Sequence, residues 1–196
     1  MKNKLIAITG GIGSGKSAVC KILKDFGYSV FSADEVYDEL LNDLSFVKEI
    51  YNALNLENAP DFFDRNLVSK IVFNSKEKLN VLNKITHNKI MKNMLNLSQS
   101  IVAKDGVVFN EVPLLFESRF ESVYDGVLVV VRDVNLRIQS IIERDNLTLD
   151  QAISRINSQF NYNNLNCSTY TIINNDADFD SLAKKCRVIL NEIIKK

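Results

Sequence analysis

The apolar run Leu5-Ile6-Ala7-Ile8 stops at a glycine cluster. A short continuous run of this kind is the signature of a strand buried on both faces. From Lys16 to Phe26 the pattern changes period. Val19, Ile22, Leu23 and Phe26 recur at helical spacing, and Gly27 follows as the expected C-cap. Tyr28–Phe31 is a second short strand. Strand, glycine turn, helix and strand make a βαβ unit, which implies a parallel sheet. From about 34 to 103 the apolar positions keep a helical interval, through Leu40, Leu41, Leu44, Val47, Ile50 and Leu54 and again from Leu79 to Leu95. The one internal breaker expected there is Pro60, in the turn Asn58-Ala59-Pro60-Asp61. Strand signals return at Val107-Val108-Phe109, at Val127–Val131 and at Thr169–Ile173. Helical patterns fill 135–160 and 179–194. The pattern therefore predicts an α/β fold, with no repeat, low-complexity tract or linker.

Composition narrows this little. The chain has 196 residues, 46% hydrophobic and 24% charged, which suits one globular unit with its own core. The 24 basic and 24 acidic residues cancel, so a nucleic-acid or membrane-surface partner is not expected from charge. Cys20, Cys167 and Cys186 are odd in number and lack metal-ligand spacing, which fits a reducing compartment. The N-terminal apolar run is too short for a signal peptide and no stretch could span a bilayer. The expectation is a cytoplasmic protein, monomeric or weakly self-associating.

The chemistry is concentrated in Gly10-Gly11-Ile12-Gly13-Ser14-Gly15-Lys16-Ser17, which fits G-x-x-x-x-G-K-[ST] in full. Glycines let successive backbone N–H groups curl round a phosphate without Cβ clashes. The helix that follows points its positive end at the same anion. The expected nucleotide contacts are Gly11 through Ala18, with Lys16 on the β- and γ-phosphates and Ser17 on Mg²⁺. Gly13-x-Gly15-x-x-Ala18 also fits the looser dinucleotide fingerprint, with Asp34 about twenty residues on as the ribose acid. That reading leaves Lys16-Ser17 unexplained. A GTP switch would need D-x-x-G, and none of the seven glycines has Asp three residues before it. Asn83-Lys84-Ile85-Thr86 resembles N-K-x-D but lacks the aspartate.

Phosphoryl transfer also needs an aligned acceptor. Asp34 follows the second strand, at the sheet edge where ligands bind in open α/β folds. It reads either as the acceptor's base or as a helix N-cap. Glu35 and Asp38 read as a solvated helix face. Glu111 closes the third strand, as a Mg²⁺-shell carboxylate or as a loop carboxylate with a local hydrogen bond.

Together these residues resemble the dephospho-CoA kinase family along nearly the whole chain. The family's TGGIGSGKS loop is read here at 9–17. Its aspartate block is Ser32-Ala33-Asp34-Glu35-Val36-Tyr37, and its arginine before a short helix is Arg65. Its LN-I-H block is Leu82–Ile90 with His87, the only histidine; PLLFE is Pro113–Glu117; and RI--Q is Arg155–Gln159. The resemblance implies a nucleotide-kinase-like P-loop NTPase fold of three layers, with a central parallel sheet. The core would be about 1–34, 104–135 and 166–196, a helical acceptor-binding insertion about 35–103 and a helical lid about 136–165. It implies ATP as co-substrate with Mg²⁺, and the ribose 3′-hydroxyl of dephospho-CoA as acceptor. Asp34 becomes the general base, with Lys16 beside it in catalysis. Arg65, His87 and Arg155 fall on the acceptor side, Arg144 on ATP, and Asn174 near the adenine. Outside the resemblance, His87 reads as structural, and Arg144 and Arg155 equally as surface ion pairs. Ser32, Asn88, Ser140 and Thr169 depart from the family pattern, and Ser140 leaves Arg137 or Arg144 to replace a lid arginine. Lys16, Ser17 and Asp34 are untouched. The alternatives are another small-molecule P-loop kinase, a non-catalytic NTP switch, and the dinucleotide oxidoreductase.

Overall fold

The computed structural model describes residues 3–56, 62–162, 165 and 169–195. The turn expected at 58–61 and Cys167 lie outside them. The strands are β1 (Lys4–Thr9), β2 (Ser29–Ser32), β3 (Val107–Glu111), β4 (Gly126–Val131) and β5 (Thr171–Asn174). They form one five-stranded sheet in the order β2-β3-β1-β4-β5, and β1 pairs in parallel with β3 and β4, as β4 does with β5. The chain divides into two compact units, Met1–Phe31 with Ser98–Lys196, and Ser32–Leu97.

In the first unit, α1 (Lys16–Asp25) and the C-terminal α9 (Phe179–Lys195) pack on one face of the sheet. Side chains alternate along a strand, so Ile6, Ile8, Phe109, Leu128, Val130 and Ile173 share that face and meet Val19, Ile22 and Leu23 of α1 and Leu182 and Leu190 of α9. Phe109 is fully buried, and Tyr28 stands edge-on to it at 5.7 Å. The opposite face carries Leu5, Ala7, Val108 and Asn110, all buried. There Asn110 Oδ1 accepts from the hydroxyl of Ser98 at 2.9 Å, which satisfies a polar group in an apolar layer. The end of α1 is a two-bond cap: Gly27 N–H donates to Lys24 O and Tyr28 N–H to Leu23 O, with Gly27 at φ +85°. Phe26 is thus the C-cap and Gly27 the residue after it.

The second unit holds α2 (Ala33–Leu40), α3 (Leu44–Ala53), α4 (Arg65–Phe73) and most of α5 (Lys76–Ser100). Its core is Phe46, Val47, Ile50, Tyr51, Leu54, Val68 and Val72. The helical pattern also breaks at positions the apolar spacing did not mark. Asp43 and Asp64 accept backbone N–H groups as N-caps of α3 and α4, and short aspartates favour such termini over helix interiors.

The pattern at 135–160 also resolves into two helices, α7 (Val134–Asp145) and α8 (Leu149–Asn157). Asn146 takes a left-handed φ of +51°, and Thr148 with Gln151 forms a capping box that restarts the chain. A short α6 (Leu115–Ser118) lies between β3 and β4. Strands β2 and β5 begin one and two residues later than their apolar runs suggest. Among the described residues no helix is long and apolar enough to cross a membrane.

If this core carries the sheet, Phe109→Ala lowers the free energy of unfolding by about 3–5 kcal/mol, read from urea denaturation. Val102→Ala, at a fully exposed side chain, changes it by no more than about 0.5 kcal/mol.

Candidate active site

The loop between β1 and α1 sits at the C-terminal end of the sheet. Parallel strands bring the exits of β3, β4 and β5 to the same edge. Gly10, Gly13 and Gly15 have φ of +151°, +75° and +87°. The last two lie where L side chains are rarely found, so the backbone demands glycine there. Ser14 N–H donates to Gly11 O at 3.1 Å and closes the turn. The N–H groups of Gly13 and Gly15 have no partner among the described residues. The Ser17 N–H in the first turn of α1 likewise has no partner among the described residues, and together these donors suit a phosphate. Lys16 Nζ donates to Gly10 O at 2.7 Å, folding its charge back over the loop.

Three side chains from elsewhere hold this loop. Arg137 of α7 donates from Nε to Ile12 O at 2.9 Å. Gln159, two residues beyond α8, accepts from Ile12 N–H at 2.6 Å. Both polar groups of the Ile12 backbone are thereby tied to the 137–159 segment. Arg137 lies so close that a Cβ on Gly11 would fall 2.4 Å from its guanidinium. Burial lowers its affinity for the proton, opposed by Tyr162. Asn175, just past β5, donates from Nδ2 to Ser14 O at 2.9 Å.

The Mg²⁺ assignment can be tested on donor chemistry. Ser17 is exposed in the first turn of α1, and Glu111 is half-buried at the end of β3. The Glu111 carboxylate faces the thiol of Cys20, which is three residues from Ser17 and therefore on the same helix face. Hydroxyl and carboxylate oxygens are the hard donors Mg²⁺ takes, and such sites need only one or two protein ligands beside nucleotide phosphates. Among the described residues there is no cluster of three His, Cys, Asp or Glu for a protein-only metal site. The residues fit a nucleotide-bound Mg²⁺. Burial and then the neighbouring Glu111 push the Cys20 thiol up to about 12.

The remaining expected residues fall as follows. Asp34 is exposed, in the first turn of α2; the N-cap there is Ser32, so the capping reading of Asp34 does not hold. Asp34 makes no hydrogen bond or ion pair among the described residues. Arg65 opens α4, pairs with Asp38 at 2.5 Å and lies over the Tyr37 ring. His87 is half-buried in the middle of α5. Arg144 forks onto Asp145 at 2.7 and 3.0 Å, and Arg155 reaches the same carboxylate at 2.8 Å. The Arg144 hydrogen bonds, and then the charges of Arg144 and Arg155, hold the Asp145 carboxyl below its ordinary range. Asn174 is exposed and accepts from Asp176 N–H at 3.0 Å. Ala18 packs against the core beneath the loop. Sequence reasoning singled out neither Gln159 nor Asn175 as a loop contact. The Asn174-Asn175 pair was the available signal, and only strand register tells which of the two meets the loop.

The chain matches the family described as CoaE, dephospho-CoA kinase, over residues 4–181. It is 34% identical over 187 residues to a dephospho-CoA kinase of Fusobacterium nucleatum, covering 94% of this chain and 96% of the relative. Its fold is similar to the crystal structure of TT1252 from Thermus thermophilus, with a TM-score of 0.81, 25% identity and 98% of each chain covered. It is also similar to the dephospho-CoA kinase from Campylobacter jejuni, with a TM-score of 0.67, 28% identity and 97% of each chain covered.

Cys20 and Cys186 are both buried, and burial raises their thiols to about 12 and about 11. At pH 8 both resist iodoacetamide in the native state and react once urea unfolds the chain, as site-resolved mass spectrometry would read. Because the folded state holds these protons more tightly, their stabilisation is complete below the unfolded thiol pKa of about 8.5. It is lost as pH rises from there towards the folded values. The urea midpoint should fall over that window, and less steeply in Cys20→Ala.

Proposed function

The chain belongs to the dephospho-CoA kinase family, and from that premise we infer that it transfers the γ-phosphoryl group of ATP to the ribose 3′-hydroxyl of dephospho-CoA, giving coenzyme A and ADP. The single observation that carries the reading is the family match across the chain, on a fold whose glycine loop presents N–H groups beside Lys16 that have no partner among the described residues.

In this mechanism the Gly13, Gly15 and Ser17 N–H groups receive the β-phosphate. Lys16 leaves Gly10 O for the β- and γ-phosphate oxygens. Transfer of this kind depends on positioning and charge stabilisation rather than covalent chemistry by the protein. Ser17 Oγ and Glu111 are the groups that would hold a nucleotide-bound Mg²⁺, which would supply neutralisation of phosphate charge. Asp34 orients the acceptor hydroxyl and takes its proton. Its exposure and its lack of a competing partner among the described residues support that role. Arg65 and His87 bind the acceptor, Asn174 lies towards the adenine, and residues 35–103 form the acceptor-binding region. Arg144 and Arg155 belong to a lid over 136–165. Their shared pairing with Asp145 is solvent-exposed, and pairs of this kind are weak enough to exchange for phosphate oxygens. The buried thiols of Cys20 and Cys186 support a reducing, cytoplasmic setting.

The test is ADP release from MgATP with dephospho-CoA, AMP, adenosine or no acceptor. Release should depend on dephospho-CoA. Asp34→Asn should lower kcat by about 10²–10⁴-fold, the usual contribution of a general base, with ADP affinity unchanged. Release with AMP or adenosine instead would move the assignment to another small-molecule kinase. Tight nucleotide binding without acceptor-dependent release would favour a switch.

A further inference from the structure

Resting on the reading that the glycine loop binds ATP, we propose that Asn175 is a positioning residue that presets the loop's central peptide for phosphate. Its side-chain amide donates to Ser14 O at 2.9 Å across a sequence separation of 161 residues. In a trans peptide the C=O and the following N–H point in opposite directions. Holding the Ser14 carbonyl towards Asn175 therefore turns the Gly15 N–H away from it, to the side on which a phosphate can be met. That N–H has no partner among the described residues. Without the Asn175 bond, this peptide could rotate and present its carbonyl oxygen, which repels phosphate.

Two further observations make the contact a built one. The Asn175 backbone N–H donates to Val131 O at 2.9 Å, extending the β4–β5 ladder by one residue, so the side chain stands on a sheet rather than a free loop. And a Cβ at Gly15 would lie 2.0 Å from Asn175 Nδ2, closer than any real contact. Gly15 is thus required twice, by its φ of +87° and by the approach of Asn175. Ser14 is almost fully buried, so water is poorly placed to replace the amide as donor to its carbonyl.

The test is MgADP affinity by calorimetry, alongside steady-state kinetics and thermal melting, for wild type, Asn175→Ala and Asn175→Asp. Losing one buried hydrogen bond should weaken ADP about ten-fold in Asn175→Ala. Asn175→Asp keeps the shape but turns an acceptor towards Ser14 O, and should weaken ADP further. KM for ATP should rise in step, KM for dephospho-CoA should stay close to wild type, and the melting temperature should fall by only the few degrees that one lost buried hydrogen bond costs. ADP affinity within two-fold of wild type in both variants would overturn the proposal. So would a loss matched by an equal rise in the dephospho-CoA KM and a large fall in melting temperature, which would mark a merely structural residue. A wild-type chain that binds no ADP would sink both this proposal and the kinase reading. One that binds ADP through Asn175 but phosphorylates a different acceptor would sink only the dephospho-CoA assignment.

Discussion

A phosphate cradle made of backbone N–H groups works only if every peptide in it faces the right way before the anion arrives. In this chain the loop 10–16 meets that constraint with glycines where φ is positive, and with side chains that bind the polar groups not meant for phosphate. Arg137 and Gln159 occupy the C=O and N–H of Ile12, and Asn175 occupies the C=O of Ser14. What remains open among the described residues, the N–H groups of Gly13 and Gly15, is the set suited to an anion. Preorganised donors of this kind need no rearrangement when charge develops, which is why they count for so much in phosphoryl transfer.

The sheet makes that arrangement possible. Its order places β1 between β3 and β4, with β5 beyond. Parallel pairing brings Glu111 to one flank of the loop and Asn175 to the other at a single edge. The apolar cluster beneath, from Ile6 and Phe109 to Leu128 and Ile173, fixes the strand exits against α1 and α9. A chain with no net charge gains little attraction for a polyanionic nucleotide from its overall field, so in the proposed reaction affinity would come from local donors such as Lys16 and the loop N–H groups.

Much of this was legible in the sequence. The loop motif, the strand before it and the helix after it are local patterns, and they fall within a residue or two of where the sequence puts them. The ends of the second and third apolar runs pointed to Asp34 and Glu111 as edge carboxylates, and the family resemblance added the base role of Asp34. What local pattern could not reveal was contact between residues more than a hundred positions apart. Arg137 and Gln159 both reach Ile12, yet nothing in the periodicity of 135–160 distinguishes a side chain aimed at the loop from one aimed at solvent. Asn174 and Asn175 are chemically identical, and a register difference at β5 decides that the second one meets Ser14. The break at Asn146 was missed because its signal is a left-handed φ followed by a capping box, not an apolar interval. The N-cap of α2 belongs to Ser32 through its extended backbone; serine and aspartate cap equally well, so side-chain type alone does not choose between Ser32 and Asp34.

The central claim is that the cradle delivers a phosphoryl group to one defined hydroxyl. Phosphorus NMR of the product from MgATP and dephospho-CoA addresses it directly, because coupling to the ribose proton identifies the esterified position. The account predicts one new phosphomonoester on the 3′-carbon, formed in equal amount with ADP. Inorganic phosphate as the sole product, or an ester at any other position, would contradict it.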